Sequence, residues 1–123
     1  MTAPNLKNPT TITGKTTFVG ISTTAKVGIL TNLQNSNKVL KVNSIFAANV
    51  DGTSDALVNV SIANTVGTAS TSYLAYNFTV LSQTTQIVTS KETYFYLEEG
   101  HKLDVQVTVV DDIDIIVGYE EIE

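Results

Sequence analysis

The chain has 123 residues, a length that suits one domain able to bury a core without disulfides or metals. Seven lysines and no arginine stand against twelve acids, for a formal net charge of -5. The lysines are scattered singly, which argues against a nucleic-acid partner, because phosphate binding needs clustered cations. With no cysteine, a disulfide scaffold, a thiolate metal site and a cysteine nucleophile are all excluded.

No apolar run approaches the roughly 18–20 residues of a spanning helix, so no membrane partner is expected. The start, "MTAPNLKNPTTITGKTT", has neither the basic opening nor the apolar middle of a secretory signal. Residues 1–10 hold both prolines (Pro4 and Pro9) and almost no apolar pattern, and they read as an extended N-terminal arm. Residues 11–123 read as a single β-sandwich domain.

From residue 9 to 37 the chain is rich in Thr, Ser and Asn but interrupted by apolar pairs, which suggests edge strands centred near Thr17 and Ile29. A further strand is expected around Val42. "DGTSD" at 51–55 is a turn. In "ALVNVSI", Ala56, Val58, Val60 and Ile62 should share one face, with Asn59 and Ser61 opposite. "VGTAST" at 66–71 is the next turn. "YLAYNFTV" then places Leu74, Tyr76, Phe78 and Val80 on one face, with Ala75, Asn77 and Thr79 opposite. Strands centred on Ile87, Phe95, Val105 and Ile115 follow, the last three expected as a meander. Leu103, Val105, Val107 and Val109 alternate with Lys102, Asp104, Gln106 and Thr108. Ile113, Ile115, Val117 and Tyr119 alternate with Asp114, Ile116 and Gly118. No ten-residue stretch shows a helical period. Eight or nine short strands predict an all-β, antiparallel sandwich, jelly-roll-like or Ig-like.

Several polar groupings invite a chemical reading. "YFYLEEGHKLDVQV" at 94–107 holds the sole histidine, His101, beside Glu98 and Glu99. An imidazole there suits acid–base work, but catalysis also needs a nucleophile or metal converging in a concave site. The spacing fits a turn between two strands, with Leu97 and Leu103 inward. "TGKTT" at 13–17 resembles the tail of a phosphate loop, yet Pro9 stands where that motif needs its first glycine. The acids Asp111, Asp112, Asp114, Glu120, Glu121 and Glu123 lack calcium-loop spacing. Asn59 and Asn77 open Asn-x-Ser/Thr triplets in mid-strand, an unsuitable place for glycosylation. Tyr94 and Tyr96 share one strand face with Phe95 on the other, predicting core on one side and an interface on the other.

"FAANVDGTSDALVNVSI" and "YFYLEEGHKLDVQVTVVDDIDIIVGYEEIE" together resemble small β-sandwich virion structural proteins of T4-like marine tailed phages, the cyanophage type. The "NVDGT" turn, the "YLEEG" turn, the terminal "YEEI" and the opening "NLKNPTTITGKT" carry the likeness, while residues 63–90 match only in strand pattern. His101 departs from the acidic or small polar residue expected after "EEG". The resemblance implies a non-enzymatic protein with no catalytic residue, cofactor or metal, located in the virion after assembly in the host cytoplasm. The leading expectation is a capsid decoration or cement protein, a homo-oligomer on the major capsid protein lattice. The alternatives are a neck or tail accessory protein, or a host glycan- or receptor-binding module on a tail fibre. The arm would clamp a neighbouring subunit. Asn5, Leu6, Lys7, Thr11, Tyr94 and Tyr96 are the expected interface residues.

Overall fold

β-branched residues at every second position favour extended backbone and give each segment one apolar face. The computed structural model describes residues 4–123; residues 1–3 of the expected arm lie outside the described residues. It contains nine strands: β1 (Ile12–Gly20), β2 (Val27–Thr31), β3 (Val39–Asn49), β4 (Ala56–Asn64), β5 (Ser70–Val80), β6 (Thr85–Thr89), β7 (Phe95–Leu97), β8 (His101–Val107) and β9 (Ile113–Ile122). A single 3-10 turn, Lys91–Thr93, is the one helical element among the described residues. Each of the nine expected strand centres lies within a strand. β1 and β2 are edge strands, as the polar bias of the first third of the chain suggests.

The strands form two antiparallel sheets packed face to face. The larger runs β1-β9-β3 and ends with β6 and β7, which share the far edge of β3; the smaller runs β2-β8-β4-β5. β6 and β7 act as one strand broken by the 3-10 turn. The pairing is then nested: β1 with β9, β2 with β8, β3 with β6 and β7, β4 with β5. A long antiparallel ribbon has been wrapped until β3 meets β9 and β4 meets β8, which is a jelly roll.

The core lies between the sheets. Val42, Ile45, Ile115 and Val117 enter it from one sheet, and Val58, Val60, Leu103 and Val105 from the other, all essentially without solvent contact. Each such side chain contributes about 1.5–3 kcal/mol by leaving water.

Two sequence expectations need correction. β7, β8 and β9 are not a meander: β7 pairs with β3, β8 with β2 and β4, and β9 with β1 and β3. Leu97 and Leu103 do both point inward, but from opposite sheets. A period of two identifies a strand's buried face and says nothing about the sheet it joins. In β5, Leu74 and Tyr76 are exposed while Ala75 packs on the core. The register slips between Val58↔Phe78 and Val60↔Ala75, where Asn77 takes φ 49 and its N–H bonds to Asn59 Oδ1. A bulge of this kind reverses the alternation beyond it.

Buried amides close the ends of the sandwich. Asn32 Nδ2 donates to the carbonyls of Lys38 and Leu97, both at 2.9 Å, and its Oδ1 accepts from Ser36 Oγ at 2.6 Å. Asn49 Nδ2 donates to the carbonyls of Ser54 and Val80, and its Oδ1 accepts from Asp51 N. Gly100 has φ 83, donates to the Asn32 carbonyl and accepts from Thr65 N and Oγ1, each at 2.7 Å. A Cβ there would lie 2.5 Å from Val66 Cγ2. Replacing Gly100 with Ala is therefore expected to cost about 1–3 kcal/mol through backbone strain, with the clash adding to it. Gly67 also has positive φ, but nothing lies near its Cβ direction, so Gly67→Ala should cost less. Urea unfolding of the two variants checks the order.

Candidate functional site

The polar cluster of residues 98–101 is the crossover between the sheets. Glu99 is buried, and its carboxylate accepts from Asn37 N at 2.8 Å and Asn35 N at 3.2 Å. Those two asparagines have φ 59 and φ 64, so one carboxylate holds a loop with two left-handed residues. His101 Nδ1 accepts from Glu98 N at 3.2 Å, which places the proton of a neutral ring on Nε2. His101 thus serves the backbone of its own crossover, and Glu99 the backbone of the loop between β2 and β3.

The other polar motifs are similarly occupied. Gly14, Lys15 and Thr16 of "TGKTT" lie inside β1, with no helix following. The C-terminal acids are dispersed. Glu120 accepts from Asn43, Glu123 from Thr11, and Asp111 and Asp112 sit in the link between β8 and β9. Among the described residues, no three His, Cys, Asp or Glu side chains are grouped to hold a metal ion. Glu121 bridges Lys15 at 2.8 Å and Lys38 at 2.5 Å, tying β9 to β1 and to the segment entering β3.

The surfaces are more informative. In the larger sheet, directly opposed residues share a face. Register places Phe18 of β1 beside Ile116 of β9, Ile116 beside Phe46 of β3, and Phe46 beside Ile87 of β6. The inner face is taken by Val19, Ile115 and Ala47 in one neighbouring row and by Val117 and Ile45 in the next, so this row points outward. Phe18 is 77%, Ile87 56% and Ile116 42% exposed, while Phe46 is half-buried. Four apolar side chains therefore cross the full width of one face. Singly exposed apolar residues are ordinary, but a contiguous band marks an interaction surface.

The same face carries the expected aromatic pair. Tyr96 lies opposite Lys41, and its ring meets that of Tyr94 edge-to-face at 5.7 Å. Lys41 Nζ stands 4.3 Å from the Tyr94 centroid, a cation–π contact. Phe95, on the opposite side of the strand, packs on the core. Asn5, Leu6 and Lys7 are exposed in a turn closed by Asn8 N to the Asn5 carbonyl. Leu6 lines a shallow cavity with Pro4, Val39, Tyr96 and Glu98. Thr11 exchanges backbone hydrogen bonds with Glu123, prolonging the β1–β9 ladder. The structure thus brings Leu6 and Tyr96 together and leaves Thr11 in the sheet.

Sequence reasoning missed Phe18, Phe46 and Ile87. The one available signal was Ile116, an apolar residue in phase with Asp114 and Gly118 on the wetter side of its strand. No family model matches the chain, and no curated protein matches it.

The Lys15–Glu121–Lys38 bridge generates a pH prediction. Hydrogen bonds from Lys15 first and Lys38 second, aided by their charges, hold the Glu121 carboxyl below the usual carboxylate range against the opposing effect of burial. Its stabilising contribution is present above the unfolded glutamate value of about 4.3 and is lost as pH falls through the lower folded value. Glu121→Gln should be less stable than the parent at neutral pH, and the difference should shrink in acid below that window. Urea midpoints across a pH series measure it.

Proposed function

We propose that this chain is a non-enzymatic structural protein of a tailed-phage virion, a decoration protein that seats the outer face of its larger sheet on the major capsid lattice. The observation that carries this reading is the apolar row Phe18–Ile116–Phe46–Ile87, left in solvent by the isolated chain. Covering a fully exposed Phe or Ile gains about 1.5–3 kcal/mol, so a protein partner of matching shape would find its anchor there. Leu6, Tyr94 and Tyr96 lie further along the same face, so arm and sheet would engage one partner together.

The fold lends support by analogy: jelly rolls are common in viral capsid domains, although they also serve lectins and cupins. The commitment of Glu99 and His101 to backbone N–H groups favours a structural role over acid–base catalysis. A seat at the neck or tail uses the same face and differs only in partner.

Quantitative mass spectrometry of purified particles tests the location. A copy number commensurate with the capsid lattice is expected; one commensurate with a single tail or portal moves the protein to the neck or tail. Absence from the particle overturns the reading. The double variant Phe18→Ser, Ile116→Ser should keep its melting temperature and lose about tenfold or more in affinity for particles stripped of the protein. Unchanged binding would remove this face from the interface.

A further inference from the structure

The smaller sheet presents a different chemistry on its outer face. Gly28 of β2, Asp104 of β8, Ser61 of β4 and Tyr73 of β5 are directly opposed, one residue from each strand. Leu103 and Val105, on either side of Asp104, enter the core, so Asp104 points outward. It is nevertheless only 1% exposed. Its neighbours Gly28, Ser61 and Ala63 are small, leaving a depression for the carboxylate. Lys26, immediately before β2, and Tyr73 of β5 meet across the sheet, the ammonium 5.7 Å from the ring centroid.

Asp104 is poorly matched by the protein around it. Oδ2 lies 3.6 Å from Lys102 Nζ, an ion pair rather than a close hydrogen bond, and buried Oδ1 accepts no hydrogen bond among the described residues. Buried acceptors without a donor are rare and costly, the more so on a carboxyl group. Asp104 lines a groove of about 340 Å³ with Lys26, Lys102, Asn64, Thr65 and Thr71.

We propose that this groove binds a saccharide. Its lining demands a ligand that offers donors and acceptors on adjacent atoms: hydroxyl hydrogens for Asp104, hydroxyl oxygens for Lys26 and Lys102. Vicinal hydroxyls of a sugar ring supply both. A phosphate or simple carboxylate supplies acceptors only and is repelled by Asp104. An amine supplies donors only and is repelled by the two lysines. The polar lining offers little to an apolar ligand. Tyr73 and Tyr76, exposed and in edge-to-face contact at 4.8 Å, stand beside the groove as aromatic surface for the C–H face of a sugar ring. The site lies on the sheet opposite the apolar row, so it stands independently of the docking reading, and a chain seated by one face would present the other to the medium.

The test is titration of the full chain by amide-resolved NMR with galactose, rhamnose, N-acetylglucosamine and glucuronate, repeated on Asp104→Asn. At least one sugar should give saturable shifts at residues 63–71 and 102–104. Asp104→Asn removes the unmatched carboxylate, so it should melt at the same or a higher temperature while binding about tenfold or more weakly. That split separates recognition from a merely structural role, which would lower the melting temperature. No saturable shift at those residues with any of the four sugars, or equal binding by the variant, overturns the proposal.

Discussion

The pairing of β3 with β9 is the constraint on which the rest of the molecule depends. The ladder runs from Val39↔Ile122 to Asn49↔Ile113, and each strand is also paired on its other edge, β9 to β1 and β3 to β6 and β7. Its inner side supplies Val42, Ile45 and Ala47 from one strand and Ile113, Ile115 and Val117 from the other, none of them in contact with solvent. A slip by one residue would exchange that set for Ser44, Phe46, Asp114 and Ile116, exposing the aliphatic layer and burying a carboxylate. The register is therefore strongly specified. The apolar outer row is its direct consequence, since residues between fully buried positions have only the other face to occupy.

Irregularities in the ladders sort the outer surfaces into zones. The register of β3 against β9 shifts between Val42 and Ser44, with Asn43 bonded to Glu120 beside it. That extra residue lets Val42 and Ile45 both face inward across an odd spacing. Lys41 with its tyrosines falls on one side of the shift and Phe46 with its apolar row on the other. The shift in the β4–β5 ladder acts similarly in the smaller sheet, turning Ala75 onto the core and lifting Tyr76 into solvent. Each bulge is a place where strict alternation in the sequence misleads.

Polar groups inside the sandwich follow a consistent logic. Asn32, Asn49 and Glu99 are buried, and each satisfies backbone groups of a loop that a purely apolar cap would leave unpaired. Asp104, on the outer face of the smaller sheet, is the exception: it is buried, and its Oδ1 accepts no hydrogen bond among the described residues. Against residues whose bonds are all internal, that departure distinguishes a structural polar group from one suited to a ligand.

The sequence by itself determined the class of fold. Period-two apolarity in Leu103–Val107 and Ile113–Val117, the β-branched composition and the Asp/Gly turns named the strands and most of their buried faces, because alternation is a local property of extended chain. The sequence also carried the pairing of Tyr94 and Tyr96 on one face, with Phe95 on the other. The tertiary structure alone decided which strand joins which sheet, and so which residues from distant segments stand side by side. Phe18, Phe46, Ile87 and Ile116 become a band, and Lys26, Thr71 and Asp104 line one groove, only when strands far apart in the chain are brought into register. The physical reason is that cross-strand neighbours are fixed by long-range hydrogen bonding and core packing, to which a pattern read along one strand is blind.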